Sequence, residues 1–168
     1  MNSSKHYVLY IWLLFSTFGT AQDSLKEVLK TYNEEHIPYI SAAKLFSIRN
    51  RVHILDAREK EEFNVSHIQN AIHVGYENFT LKTAVQPYFQ KNDTLVVYCS
   101  LGVRSEDVSE QFKKVGFTHV LNLYGGIFEW KNHNYPIVNS KGQTTDSVHA
   151  FSKQWAKWLH NGKKVYSN

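Results

Sequence analysis

The stretch LVVYCSLGVRS, residues 95–105, passes from an apolar run through a short loop into a helical pattern. Cys99, where the apolar run ends, is the only cysteine in the chain. At the N-terminus of a helix, unpaired backbone N–H groups and the positive end of the helix dipole lower the pKa of a thiol. Free cysteines are otherwise often buried and act as small hydrophobic residues. The position of Cys99 between a strand and a helix favours a reactive thiolate over a packing role.

The sequence on both sides of this stretch alternates between strand-like and helix-like patterns. Helical spacing covers residues 24–33, 42–48, 59–64, 80–90 and 104–115, apolar runs typical of strands cover 52–55, 72–74, 95–98 and 120–123, and residues 37–40 read as extended. This alternation predicts an α/β fold with a mostly parallel sheet covered by helices. Ligands bind such sheets beyond the carboxyl ends of the strands, and Cys99 lies at one of these ends.

Length and composition limit the classes of protein to consider. A chain of 168 residues with 42% hydrophobic and 14% aromatic residues is typical of one packed domain. The net charge of +4 is scattered along the chain, so we expect no nucleic-acid partner. The nine histidines show no metal-binding spacing and the chain has one cysteine, so we expect no zinc site, no other metal and no cofactor.

The first residues have the pattern of a secretory signal peptide over 1–21. Basic residues 5 and 6 precede a mostly apolar run, 7–18, and small residues follow before a cleavage site between Ala21 and Gln22. An uncleaved membrane anchor and a buried N-terminal helix are the alternatives, although the apolar run is shorter than the ~20 residues that span a bilayer. We therefore expect an exported protein, periplasmic or secreted, with no stable membrane insertion after cleavage. In an exported protein, an unpaired cysteine such as Cys99 is either an intermolecular partner or a free reactive thiol.

Several motifs, in one colinear order over residues 36–138, resemble those of the rhodanese family of sulfurtransferases. The resemblance lies in Ile54-Leu55-Asp56-Ala57-Arg58 with Glu62-Phe63, His67-Ile68 and Ala71-Ile72; in Val96-Val97-Tyr98-Cys99 with Gly102, Arg104 and Ser105; and in Gly116-Phe117, Val120, Tyr124-Gly125-Gly126-Ile127 and Trp130. It implies a single-domain, rhodanese-like three-layer fold, with a central, mostly parallel five-stranded sheet flanked by helices.

The resemblance also implies an activity and a set of site residues. Cys99 would be the catalytic nucleophile, taking a sulfane sulfur from an anionic donor such as thiosulfate and passing it from a persulfide to a thiophilic acceptor, cyanide or a thiol. The substrate-binding loop would comprise Ser100, Leu101, Gly102, Val103 and Arg104, whose backbone N–H groups and guanidinium favour negative charge. Ser105, Asp56 and Arg58 would support the site, the last two within a buried charge network that fixes a turn. Arg58 and Glu62 could also pair on a helix face.

Two other functions stay open at this point. Cysteine phosphatases, some of which share the rhodanese fold, enclose a phosphate with five residues between cysteine and arginine. Here four residues separate Cys99 from Arg104, and the shorter loop suits a sulfur atom better. A non-catalytic rhodanese-fold module that binds an anion or sulfur species, or senses redox state, is the second alternative. Ser100 and Leu101 depart from the loops of thiosulfate- and mercaptopyruvate-using enzymes, so the donor is not assigned.

The two ends of the chain lie outside this resemblance. Residues 22–35 form a predicted N-terminal helical segment, and residues 139–168 form a C-terminal extension. Within 146–159 the spacing of Val148, Phe151, Trp155, Trp158 and Leu159 predicts one amphipathic helix. This helix could dock on the domain, contact a protein partner or a membrane surface, or shape the mouth of the active site.

Overall fold

The computed structural model describes residues 20–34 and 36–167; the predicted signal peptide therefore lies almost entirely outside the described residues. Helices are α1 Thr20–Tyr32, α2 Ala42–Ile48, α3 Lys60–Val65, α4 Leu81–Ala84, α5 Arg104–Lys114 and α6 Gly126–Asn132, with 3-10 turns at Arg49–Arg51 and Trp155–Trp158. Strands are β1 Tyr39–Ile40, β2 His53–Asp56, β3 His67–Ile68, β4 Ile72–His73, β5 Thr94–Tyr98, β6 His119–Leu123, β7 Ile137–Val138, β8 Thr144–Thr145, β9 Ser147–His149 and β10 Lys163–Val165. No helix of the described residues has the length and apolar character needed to cross a membrane.

The central sheet has five strands in the order β1-β6-β5-β2-β4, and every neighbouring pair is parallel. Strand β5 lies in the middle, paired with β2 on one side and β6 on the other. A smaller antiparallel sheet, β3-β7-β8, holds the segment after α3 against the segment after α6. The predicted α/β class and parallel five-stranded sheet are confirmed.

The two faces of β5 carry separate hydrophobic clusters. Val96 and Tyr98 pack in one cluster, together with residues of α1, α2 and α6. Leu95 and Val97 pack in the other, together with residues of α4 and α5. Because successive strand residues point to opposite faces, a strand covered on both sides needs a continuous apolar run, which explains the sequence pattern that predicted it. The result is the expected three-layer arrangement, with Cys99 following the central strand.

Local signals explain where several elements begin and end. The Lys44 N–H donates to Ser41 Oγ at 3.2 Å, so Ser41 is the N-cap of α2. Gly116, with φ of +93°, follows the end of α5. The helix predicted over 80–90 is wrong beyond Ala84, where α4 ends. Pro87 lacks a backbone N–H and disfavours helical torsions at the residue before it, so the chain continues in turns.

The predicted amphipathic helix in the C-terminal extension is also wrong. Strand β9 pairs in parallel with β10, and only the short 3-10 turn between them is helical. Val148, His149 and Ala150 are all buried, and three consecutive buried residues fit a covered strand rather than one face of an amphipathic helix. Phe151 then adopts a positive φ of 61°, which no α-helix accommodates. Of the apolar residues that suggested a helical stripe, four pack in or against the main cluster from these other conformations, Val148, Trp155, Trp158 and Leu159, whereas Phe151 is exposed.

Candidate active site

Cys99 follows β5 directly, at the carboxyl edge of the central sheet, and is 2% exposed. Its Sγ accepts a hydrogen bond from the Gly102 N–H at 3.1 Å, and Ser105 Oγ lies 3.5 Å away. The backbone of Gly102 has φ of +112°, a torsion that side chains disfavour. A Cβ at this position would also approach the Leu123 carbonyl oxygen to 3.3 Å. The loop thus needs glycine in order to aim an N–H group at the sulfur.

Two buried asparagines hold Gly102 in place. Its carbonyl oxygen accepts hydrogen bonds from Asn33 Nδ2 at 2.9 Å and from Asn122 Nδ2 at 2.8 Å. Ser105 Oγ donates to Asn122 Oδ1 at 2.8 Å. A hydroxyl has one proton, so the shorter contact leaves Ser105 with the asparagine as its main acceptor and Cys99 as a weaker one. Sequence reasoning missed both asparagines, because only the fold brings them to the loop.

The N-terminus of α6 fixes the other side of the loop. The Ile127 N–H donates to the Cys99 carbonyl oxygen at 2.9 Å, and the Phe128 N–H donates to the Ser100 carbonyl oxygen at 3.2 Å. Gly126 permits this approach, because a Cβ there would collide with backbone atoms of Cys99 and Ser100. The family resemblance included Gly126 but did not indicate its contact with the catalytic loop.

Arg104 begins α5 and pairs with a carboxylate from α3. Its two terminal nitrogens donate to Glu62 at 2.7 and 3.0 Å, and Nη2 also donates to Ser100 Oγ at 3.0 Å. Ser100 Oγ in turn donates to Glu62 Oε1 at 3.1 Å. The pairing of Glu62 with Arg58 is therefore wrong: Arg58 precedes α3 and has another partner. The sequence predicted Arg104 beside Cys99 but did not predict that Glu62 pairs with this arginine.

The local charges favour the thiolate form of Cys99. Burial raises the pKa of the thiol, but the Arg104 guanidinium and the hydrogen bonds from Ser105 and Gly102 outweigh it, and the pKa lies below its ordinary value. Burial likewise opposes ionisation of Glu62, yet its hydrogen bonds with Arg104 lower the pKa of this carboxyl below its usual range. The Glu62 carboxyl is therefore ionised at neutral pH, and the same guanidinium shifts Cys99 toward its thiolate form.

Leu101 and Val103 contribute to the site differently from their neighbours. The Leu101 side chain is buried in the main hydrophobic cluster, and Val103 packs against the same cluster. Any contact of Leu101 with substrate would therefore come from its backbone, whereas Val103 is only partly buried. Of the five loop residues predicted to bind substrate, Ser100, Gly102 and Arg104 are those with polar contacts to Cys99, to Glu62 or to one another.

Asp56 and Arg58 form a buried ion pair below the site. Arg58 Nη2 lies 2.6 Å from Asp56 Oδ2, both side chains are 0% exposed, and Nη2 also donates to the Ser66 carbonyl oxygen at 2.7 Å. The Tyr98 hydroxyl donates to the same Asp56 oxygen at 2.5 Å and accepts from the Ile68 N–H at 3.2 Å. The network ties the turn after β2 to β5, which fits the supporting role predicted for these two residues.

The C-terminal extension adds two side chains that the helix prediction misplaced. His149 Nδ1 lies 3.9 Å from Glu62 Oε1, and the Phe151 ring centre lies 4.7 Å from the guanidinium carbon of Arg104. Burial lowers the pKa of His149 more than the Glu62 carboxylate raises it, so the imidazole is neutral at neutral pH. These two contacts favour the alternative in which the extension shapes the mouth of the active site.

Among residues 20–34 and 36–167, one group could offer three ligand atoms to a metal ion: Glu34, His36 and Glu110. Glu34 and His36 are exposed, and clusters of this kind are common on protein surfaces without a metal. None of the three contacts Cys99 or Arg104 in a described hydrogen bond. We assign this group no part in the chemistry of Cys99.

Comparisons with known proteins agree with this geometry. The family model of the rhodanese-like domain matches residues 41–133. Thiosulfate sulfurtransferase GlpE of Coxiella burnetii is 31% identical over 103 residues, covering 60% of this chain and 90% of that protein. A tRNA uridine(34) hydroxylase of Aster yellows witches'-broom phytoplasma is 39% identical over 83 residues, which are 48% of this chain and 27% of the hydroxylase. The crystal structure of a thiosulfate sulfurtransferase from Pseudomonas aeruginosa superimposes with a TM-score of 0.58 over 83% of this chain and 26% of the other, at 20% identity, a likeness of fold.

Proposed function

Because this chain belongs to the rhodanese-like domain family, within the sulfurtransferase superfamily, we propose that it transfers a sulfane sulfur by way of a persulfide on Cys99. The observation that carries the proposal is the set of contacts around Sγ: a backbone N–H at 3.1 Å, the Ser105 hydroxyl at 3.5 Å, and the charge of Arg104, which together lower the thiol pKa. Because the thiol ionises more readily than an ordinary cysteine, the proposal needs no separate general base.

The first half-reaction loads sulfur onto the enzyme. With thiosulfate as donor, the Cys99 thiolate attacks the outer sulfur, a new S–S bond forms, and the S–S bond of the donor breaks with its electron pair leaving on sulfite. The charge on the enzyme moves one atom outward, to the terminal sulfur of the persulfide, and no proton is transferred. Gly102 and its asparagine supports keep a donor N–H beside the inner sulfur in this step.

The second half-reaction returns the cysteine to its thiolate. Cyanide attacks the terminal sulfur and leaves as thiocyanate, or a thiolate attacks it and leaves as a persulfide; in either case Cys99 keeps the electron pair of the broken S–S bond. This is a double-displacement cycle with one covalent intermediate. The pKa of Cys99 lies below the ordinary value for a thiol. This lowered pKa makes the Cys99 thiolate a good leaving group in this step.

Export of the protein is part of this proposal and is supported by the pattern of residues 1–21. The name of the GlpE relative supports thiosulfate as a donor to test first. The hydroxylase relative gives no support for RNA chemistry here, because this chain matches 27% of that protein. A rhodanese-fold module that binds sulfur without turnover is the second candidate. The complete loop from Cys99 to Arg104 favours the enzyme.

Mass spectrometry of the purified mature protein tests the proposal. After exposure to thiosulfate, the peptide containing Cys99 should gain one sulfur atom, and cyanide should remove it with release of one equivalent of thiocyanate. The Cys99→Ser variant should fold and neither gain sulfur nor release thiocyanate. If Cys99 stays unmodified with thiosulfate, thiosulfonates and organic persulfides alike, the chain is not a sulfurtransferase. Gain of sulfur without release to cyanide or thiols would identify the binding module instead.

A further inference from the structure

The C-terminal extension places an aromatic ring on the cation of the active site. The Phe151 ring centre lies 4.7 Å from the guanidinium carbon of Arg104, a cation–π distance. Phe151 is nevertheless 49% exposed, so half of its surface faces solvent beside the site. An apolar ring at the entrance to a polar loop offers a contact for an organic group of the substrate.

The backbone around Phe151 holds the ring in this position. Its N–H donates to His149 Nδ1 at 3.2 Å, and the preceding Ala150 N–H donates to the Val165 carbonyl oxygen at 2.8 Å. The residue itself has φ of +61°, unusual for a bulky side chain. An aromatic residue in the left-handed region requires support from its surroundings, and the β9–β10 pair supplies it.

The charges beneath the ring disfavour a small dianion. Arg104 is paired with Glu62 through two hydrogen bonds and also favours the thiolate form of Cys99, so its one positive charge is already shared by the carboxylate and the sulfur. A dianion such as thiosulfate is repelled by the Glu62 carboxylate and by negative charge on the Cys99 sulfur. It must also displace hydrogen bonds of Arg104 in order to bind. A monoanion with an apolar group meets less repulsion and gains the surface of Phe151.

We propose that Phe151 is a specificity-determining residue, which directs the site toward sulfane donors bearing an apolar organic group and away from thiosulfate. The proposal rests on the sulfurtransferase function proposed above and names the class of donor. Phe151 lies outside the segment that the family model matches, 41–133, so this preference belongs to the extension of this chain.

Three donors separate the effect of charge from the effect of the organic group. Thiosulfate is a small dianion, methanethiosulfonate a small monoanion, and benzenethiosulfonate a monoanion with an aromatic group. With either thiosulfonate, the Cys99 thiolate attacks the terminal sulfur, the S–S bond to the sulfonyl sulfur breaks, and the electron pair leaves on the sulfinate. The same persulfide therefore forms from all three donors, and mass spectrometry in single turnovers gives the rate constant for each.

In the unaltered protein, benzenethiosulfonate should load Cys99 faster than methanethiosulfonate, and methanethiosulfonate faster than thiosulfate. The Phe151→Ala variant should lose about 2- to 12-fold of the preference between the two thiosulfonates, the range for one aromatic contact. Its rate constant with thiosulfate should be unchanged or higher, because Arg104 is uncovered. Phe151→Leu keeps an apolar surface without an aromatic face and should fall between the two. Tyr88→Ala, which removes a 59% exposed aromatic ring beside His53 at the opposite end of β2, should leave all three rate constants unchanged.

The outcomes separate this inference from the function on which it rests. If all three donors load Cys99 and Phe151→Ala leaves their ratios unchanged, or lowers all three rate constants equally, Phe151 does not select the donor, and the sulfurtransferase function stands. If no donor loads Cys99 in the unaltered protein, the sulfurtransferase function itself is wrong. Thermal unfolding of each variant shows that the comparison is made between folded proteins.

Discussion

The carboxylate of Glu62 accepts two hydrogen bonds from Arg104, at 2.7 and 3.0 Å, while the charge of the same guanidinium acts on the Cys99 sulfur. One cation therefore stabilises the Glu62 carboxylate of α3 and favours the thiolate form of Cys99 in the catalytic loop. A bidentate pair of this kind fixes the guanidinium plane as well as its charge. The reactivity of Cys99 depends in this way on a helix that contributes no atom to the sulfur's own contacts.

Replacing Arg104 by glutamine should raise the pKa of Cys99. The substitution removes the cation and leaves the Glu62 carboxylate unpaired nearby, and both changes disfavour the thiolate. The rate of alkylation by iodoacetamide follows the thiolate fraction, so its rise with pH should move to higher pH. Lys114→Gln removes one positive charge from the other end of α5 and should leave the profile in place. Coincident profiles for all three proteins would show that Arg104 does not control the thiol.

Glu62 should make the stability of the protein depend on pH in the acid range. Its pKa is lowered in the folded state, so the unfolded chain binds the proton more readily. The stability that this carboxylate contributes is therefore fully present above the ordinary pKa of a glutamate, and it is lost as the pH falls through the lowered value. Urea unfolding across this range should show a flatter dependence for Glu62→Gln than for the unaltered protein. The adjacent exposed Glu61, changed to Gln, serves as the control; an equal flattening there would contradict the assignment to Glu62.

Gly126→Ala should destabilise the fold and disrupt the loop. The new Cβ would overlap backbone atoms of Cys99 and Ser100, and rigid backbone yields less readily than a side chain. We expect a loss of about 1–3 kcal/mol from overpacking, in addition to about 1–2 kcal/mol for the left-handed backbone. Gly142→Ala isolates the second contribution, because Gly142 has φ of +74° and a Cβ there meets nothing within 4 Å. If urea unfolding shows the same loss of stability for Gly126→Ala and Gly142→Ala, close packing of α6 against the loop does not contribute to the effect.

Arg58→Met should destabilise the protein strongly and leave the chemistry of Cys99 intact. The change leaves the Asp56 carboxylate buried without its cation, which costs about 3–5 kcal/mol for such pairs. Adding Asp56→Asn should recover part of the loss, because the uncompensated charge is removed. Sulfur loading per folded molecule should stay near that of the unaltered protein. A loss of loading in a variant shown to be folded would instead place Arg58 in the site.

The central strands and the catalytic loop could be predicted because their signals are local. A strand buried on both faces must be a continuous apolar run, and the loop's chemistry follows from the single cysteine, Gly102 and Arg104 in one short stretch. The buried pair of Asp56 and Arg58 could also be predicted, since both residues lie just past a predicted strand.

The partners of the loop could not be predicted in the same way. Asn33, Glu62 and Asn122 reach it from 69, 42 and 20 residues away in the sequence, and no spacing rule relates such positions. In the C-terminal extension, apolar residues at helical spacing suggested a helix, but Val148 is buried in a strand, Trp158 is buried in a 3-10 turn, and Phe151 is exposed. The positive φ of Phe151 depends on tertiary contacts that the sequence pattern does not carry.

The order of these partners along the chain has a consequence for protein synthesis. A growing chain that has just produced residues 95–105 carries Cys99 and Arg104, but it still lacks Asn122 and the α6 amide that hold the loop in shape. In that state the guanidinium is in water, where its charge acts only weakly on the sulfur. The cysteine of a nascent chain is then an ordinary, largely protonated thiol. Its reactivity arrives with the completed fold, which limits unwanted oxidation or thiol exchange while the protein is being made.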